Sequence, residues 1–211
     1  MSLCVQLYGG PPGSGTVTRD DDGVSEPRDP APPAGPLARA LPGAAREVEQ
    51  FVASAGWDQP PQLFALVPTA ALLASRPELS GQVDAAPLTP VAQDELPEGE
   101  LDEALAGIEW PEGVAGCALA QEIVVLPPGA QAGSGELPDE LPADPEQARR
   151  AAAAHPDRQE GRLVAAVLRE GLGACVLRIR GEAGAQDAPE QIIEHAELAP
   201  NLLRALLATL S

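Results

Sequence analysis

The chain contains no lysine, so its 13 basic side chains are all arginine, in a sequence of 211 residues. The acidic side chains number 32, and the formal net charge is −19. A chain with this charge is repelled by DNA, by RNA and by anionic membrane surfaces. We therefore expect no nucleic acid among its partners.

The missing lysine also argues against ATP binding, although residues 10–15 have the glycine spacing of a phosphate-binding loop. The motif G-x-x-x-x-G-K-[ST] needs a lysine that reaches the phosphate oxygens, and Thr16 stands at that position. Three aspartates follow at residues 20–22 and would repel phosphate. We expect no ATP and no other cofactor.

Long apolar runs are also missing. No run approaches the 18 residues that a membrane-spanning helix needs, so we expect no membrane insertion. The first ten residues carry no basic segment followed by an apolar one, which argues against a secretory signal. The three cysteines are Cys4, Cys117 and Cys175, and this odd, widely spaced set is not a disulfide framework. A cytoplasmic protein fits these observations best.

Residues that could perform catalysis or bind a metal are scarce. The two histidines, His155 and His195, lie far apart in the sequence, and the cysteines do not cluster. Cys117 and Cys175 fall in apolar strand patterns, where a cysteine is usually a small buried side chain. No G-x-S-x-G nucleophile motif occurs. We therefore assign no catalytic residue and no metal site.

Turn-forming residues divide the chain into a leader and a domain. The sequence has 24 prolines and 21 glycines, and residues 1–35 combine them with charges. We expect this leader to be disordered, either as a genuine tail or as a misassigned start. Residues 36–211 are expected to form a single α+β domain, with acidic loops near residues 80–100, 127–143 and 181–197.

Hydrophobic periodicity predicts the elements of that domain. Helices are expected from Pro42 to Gly56, over 69–79 with Thr69 as N-cap, and over 100–111, 144–155 and 198–210. Strands are expected over 62–67 and 115–126, and residues 161–180 are predicted to form a hairpin with its turn at 170–173. This order predicts an α+β fold, in which helices pack on a mainly antiparallel sheet of about four strands.

The arginines are unevenly distributed. Residues 145–180 hold seven arginines against four acidic residues. In the second strand of the hairpin, the alternation turns Arg178 and Arg180 to one face. Arg162 opens the strand before it, and Arg158 precedes that strand. This arginine face could bind an anionic ligand or an acidic peptide, or it could pair with the acidic loops of the same chain.

Aromatic residues make up only 2% of the chain, which gives the two tryptophans extra weight. Trp57 and Trp110 each follow a helical pattern and come shortly before a proline. One interpretation is that each tryptophan closes one end of the core. The other is that both contribute to an aromatic surface that binds a partner.

Several phrases resemble an uncharacterised family of actinobacterial proteins, above all "GWDQPP-LFALV" and "AAHP-RQ". The resemblance covers roughly residues 36–211. It implies a high-GC actinobacterial source and a cytoplasmic protein, and it brings no catalytic residue. Our first hypothesis is a non-enzymatic protein-interaction or chaperone-like module of unknown partner. The alternative is an anion-binding or small-molecule-binding protein, including an unrecognised enzyme, that uses the arginine face.

Overall fold

A computed structural model of the chain describes residues 4–6, 35–97, 99–126, 154, 158–181 and 191–211. The described part contains seven strands, four helices and a 3-10 turn at Pro77–Leu79. In chain order these are β1 (Cys4–Gln6), α1 (Pro36–Ser54), β2 (Gln62–Pro68), α2 (Thr69–Ser75), β3 (Leu88–Ala92), α3 (Leu101–Ala106), β4 (Gly116–Leu126), β5 (Gln159–Leu168), β6 (Gly173–Ile179), β7 (Gln191–Glu194) and α4 (Pro200–Thr209).

Six of these strands form an antiparallel sheet in the order β3-β2-β4-β5-β6-β7, and β1 pairs with β4 in parallel. The α+β class and the antiparallel sheet are confirmed, but the expected count of four strands is wrong. The strands β3 and β7 lie in stretches that were expected to be acidic loops. Both are short edge strands with little buried apolar surface, so they lack the hydrophobic run that marks β4 and β5.

The sheet has helices on both faces, because alternate side chains of each strand enter different cores. On β5, Val164 and Ala166 face the core under α1, whereas Leu163 and Ala165 face the core under α3 and α4. This alternation follows from the two-residue period of a strand. The described part is therefore a three-layer sandwich with the sheet in the middle.

Helix α1 begins at Pro36, earlier than the predicted start at Pro42. Pro42 lies inside the helix, where its ring removes one backbone hydrogen bond. Leu37, which lies before that proline, packs against the core under α1, and this burial holds the first turn in place. The predicted end is confirmed, because Gly56 follows the helix with a φ of 89°.

The other predicted helices differ from the structure mainly at their ends. Thr69 is the first residue of α2 and not its N-cap, and its hydroxyl group is 2.8 Å from that of Thr89. Helix α2 ends at Ser75, since Pro77 starts the 3-10 turn. Helix α3 is shorter than predicted and stops before Gly107.

The strongest patterns are confirmed: β2, β4, the β5–β6 hairpin and α4 lie within one to two residues of their predicted bounds. Gly171 in the hairpin turn has a φ of 83°, which suits glycine. The helix predicted over 144–155 falls outside the described residues, apart from Ala154, which is helical. The leader, residues 1–35, also falls outside them, apart from β1 and Gly35. Within the described ranges, no helix is long and apolar enough to cross a bilayer.

Candidate functional site

Arg162 is a buried charge beneath helix α1. It lies on the face of β5 that α1 covers, opposite Glu122 of β4, and only 1% of the side chain is exposed. One guanidinium nitrogen is 3.3 Å from Glu122, another is 3.9 Å from Glu49, and a hydrogen bond runs to the backbone carbonyl of Gly56. The side chain therefore joins α1, β4 and the segment after α1.

Glu49 of α1 is the acidic centre of this group. Its carboxylate accepts two hydrogen bonds from Arg178 of β6, with Nε–Oε1 at 2.5 Å and Nη2–Oε2 at 2.6 Å. Arg178 lies directly across from Arg162 in the β5–β6 ladder, so one carboxylate faces two guanidinium groups. Glu49 is only 2% exposed. A bidentate arginine–carboxylate pair fixes the relative orientation of the two side chains as well as pairing their charges. This pair therefore holds α1 in register on the sheet.

Trp57 lies beside two guanidinium groups. The centre of its ring is 4.6 Å from the guanidinium carbon of Arg162 and 5.3 Å from that of Arg180, within the range of cation–π attraction. Arg180 also contacts Asp58 at 3.4 Å and Glu160 at 2.7 Å. The indole is half-buried, so one part is held by arginines while another remains accessible.

Residues Gly56, Trp57, Asp58 and Gln59, which we call the Trp57 loop, have an unusual backbone. Gly56 and Asp58 both have positive φ, at 89° and 66°, and Asp58 is the one non-glycine residue of the described part with this conformation. Glycine adopts a positive φ without strain, but at Asp58 this conformation is strained and persists where neighbouring groups hold it. The Gly56 carbonyl accepts a hydrogen bond from the Arg162 guanidinium group, and the Gln59 N–H donates one to the Glu122 carboxylate at 3.2 Å. One almost fully buried arginine and one partly exposed carboxylate therefore fix the loop.

The predicted site residues do not all lie together. Arg162, Arg178, Arg180 and Trp57 form one cluster, and Arg158 is exposed just before β5. Trp110 packs in the core on the opposite face of the sheet, where its indole N–H donates to Thr209 at 2.9 Å. The two tryptophans therefore do not form a shared aromatic surface.

The arginine face contacts carboxylates of the same chain, and those among the described residues, Glu49, Glu122, Asp58 and Glu160, lie outside the stretches expected to be acidic loops. Glu49, Glu122 and Asp58 were not predicted as site residues. Glu49 lies among the buried residues of α1, and Glu122 interrupts the apolar run of β4. A single charge within an apolar pattern was the signal that could have identified both.

Arg169 binds backbone carbonyls at the turn end of the β5–β6 hairpin. Arg169 donates through Nε to the carbonyl of Val114 at 2.8 Å and through Nη2 to two carbonyls of the segment before β4. Its remaining nitrogen donates to the carbonyl of Leu210, at the C-terminal end of α4. A cation at that position satisfies free helical carbonyls and favours the helix dipole.

Cys117, Cys175 and His195 do not form a reactive site. Burial raises the pKa of Cys117 and of Cys175 to about 11, so both remain protonated thiols at neutral pH. His195 is exposed, and its Nδ1 accepts the backbone N–H of Glu197. The part of the chain that the structure describes holds no group of three or more potential metal ligands. His155 lies outside that part.

The chain matches the model of a protein family. The model of the PPA1309-like protein family matches residues 41–211, which include every described element except β1 and the first turn of α1. Comparisons with curated proteins and with solved structures found no match.

Proposed function

We propose that this chain, which belongs to the family of PPA1309-like proteins, is a non-enzymatic protein-interaction module, and that the Trp57 loop is its contact surface. The observation that carries the proposal is the use of charged side chains, one of them almost fully buried, to hold a strained loop. Arg162 and Glu122 hold its backbone, while Trp57 stays half-exposed.

Buried charges are a costly way to stabilise a fold. Well-packed apolar residues in their place are often neutral or stabilising. Glu49 and Arg162 are almost fully buried, so a role in positioning explains them better than a role in stability alone. What they position is the loop, since Arg162 contacts both its Gly56 carbonyl and its Trp57 ring.

The accessible part of this surface has the composition of a binding hot spot. It offers an indole ring, the partly exposed guanidinium of Arg180 and the carboxylates of Asp58 and Glu160. Tryptophan and arginine are enriched among residues that dominate binding energy in interfaces. A loop that is already ordered also loses little entropy when it binds.

The anion-binding alternative has weaker support. Arg162 and Arg178 already contact Glu49, and Arg180 contacts two carboxylates, so an incoming anion would have to displace these groups. Cytoplasmic location and an actinobacterial source remain part of the proposal. The support for them is the reduced, buried state of Cys117 and Cys175 and the lysine-free composition.

Affinity capture with matched variants tests the proposed surface. The chain is immobilised on a resin and exposed to an extract of its source organism, and it should retain one protein in stoichiometric amount. Trp57→Ala and Asp58→Asn should each reduce that retention by about tenfold or more, as expected for hot-spot residues. The control is Leu172→Ala, which removes an apolar side chain that is 44% exposed at the opposite end of the β5–β6 hairpin.

Unchanged retention by the Trp57 and Asp58 variants would contradict the proposed surface. Saturable binding of a small anion that is lost in Arg180→Ala, with no protein retained, would favour the alternative.

A further inference from the structure

The strand β4 is longer than its neighbour β2, and this leaves part of one edge free for another strand. β4 has 11 residues, and β2 pairs with only the first five, Gly116 to Ala120. On the same strand, Cys4, Val5 and Gln6 of β1 pair with Val124, Val125 and Leu126. β5 pairs with β4 along its other edge, so β1 extends the β2 side.

Three segments contact β4 one after another along its length: β2, the Trp57 loop and β1. Gln62 of β2 lies opposite Ala120, Gln59 of the Trp57 loop donates to Glu122, and Cys4 lies opposite Val124. Two residues along a strand span about 7 Å, so β1 begins one such step beyond the contact of the Trp57 loop. The pairing of β1 is parallel, whereas every other neighbouring pair in the sheet is antiparallel.

We propose that the edge of β4 from Val124 to Leu126 is a strand-acceptor site and that β1 is its detachable occupant. Three observations support this. The pairing is only three residues long, it joins segments that are far apart in the sequence, and β1 lies outside the residues that match the family model. Without β1 the other six strands remain paired with one another, and the edge of β4 then offers unpaired N–H and C=O groups to an extended segment.

The ligand class that fits this site is an extended peptide that adds parallel to β4. Backbone hydrogen bonds supply most of the attraction in strand addition, and alternate side chains supply the selectivity. The inference does not depend on the proposed function of the Trp57 loop, since it rests on backbone pairing alone.

Disulfide trapping in the full-length chain tests whether β1 occupies the edge. In Val124→Cys the new thiol is placed across from Cys4, on strands whose spacing of about 4.8 Å lies within the Cα–Cα range of disulfides. Mild oxidation should join Cys4 to the thiol introduced at position 124 within one chain. In the control Val125→Cys the thiol points to the other face, and the bond to Cys4 should form about tenfold more slowly.

A second variant tests whether the occupant can be replaced. Val5→Pro disrupts β1 within the chain, since the proline ring fixes φ at about −65°, away from the extended value of a parallel strand. In a full-length chain with Cys4→Ser, Val5→Pro and Val124→Cys, a synthetic peptide of residues 1–10 should form a disulfide with the thiol introduced at position 124. The same chain without Val5→Pro should capture the peptide several-fold more slowly, because its own β1 competes.

Equal bond formation at positions 124 and 125, or no bond in either variant, would overturn the occupancy of the edge by β1. Bonds that form only between two chains would also overturn it. Peptide capture that does not respond to Val5→Pro would overturn the claim that the occupant is detachable.

Discussion

The carboxylate of Glu49 is the most informative single group to remove. The change Glu49→Gln keeps the size of the side chain but leaves Arg162 and Arg178 without their shared negative charge, in a site where Glu49 is 2% exposed. Removing one partner of a buried ion pair costs about 3–5 kcal/mol where the remaining charge is left without compensation, and Arg162 here keeps Glu122 at 3.3 Å. The amide oxygen can still accept one hydrogen bond, so we expect a loss near the lower limit, about 3 kcal/mol.

Urea unfolding followed by circular dichroism measures this loss. With a slope of about 2 kcal/mol per molar urea, the midpoint should fall by about 1.5 M. The control is Glu194→Gln, which removes an exposed carboxylate that forms a bidentate pair with Arg46. Exposed pairs contribute little to stability, so the control should move the midpoint only slightly.

A triple variant separates positioning from stability. Replacing Glu49, Arg162 and Arg178 together by methionine removes all three charges from under α1. Stability should return close to that of the natural chain, as for other buried ion groups replaced by apolar residues. The Trp57 loop should nevertheless lose order, which hydrogen exchange at the Gln59 amide would measure. A loss in Glu49→Gln of less than about 1 kcal/mol, similar to the control, would refute the reasoning.

Three further predictions concern the rest of the fold. Arg169→Lys should destabilise the chain by about 2 kcal/mol in urea unfolding, because lysine cannot bind all four carbonyls that the guanidinium holds, and an unchanged midpoint would contradict this. N-ethylmaleimide at about pH 8 should modify neither Cys117 nor Cys175 in the native chain, since their raised pKa leaves almost no thiolate, and mass spectrometry of the peptides would reveal any modification. Gly116→Ala should lower the melting temperature far more than Gly113→Ala, because a Cβ at residue 116 would collide with the backbone carbonyl of Val167 whereas residue 113 has open space; equal shifts would contradict the crowding.

Local patterns were enough to predict the centre of the sheet. The alternation of Cys175, Leu177 and Ile179 with Val176, Arg178 and Arg180 correctly separated the two faces of β6. The turn at residues 170–173 was equally clear, because glycine supplies the positive φ that the turn needs. Both features depend on residues that are close in the sequence.

The parts that were missed depend on distant residues. Arg178 pairs with Glu49 across 129 positions, so no local pattern could show that these two residues meet. The edge strands β3 and β7 were missed because half-exposed strands carry a weak apolar signal. The position of Trp57 between two arginines requires the packing of α1 on the sheet, which sequence periodicity does not specify.

Photo-crosslinking from the Trp57 loop tests the central claim most directly. A photoreactive amino acid at Ala55, which is exposed immediately before the loop and has an ordinary backbone conformation, would be activated in cells of the source organism, with the same probe at Leu172 as the control. We predict an adduct with one protein from position 55, lost in the presence of Trp57→Ala, and no such adduct from position 172. Adducts of equal yield from both positions, or none from position 55, would contradict the assignment of this loop as the partner surface.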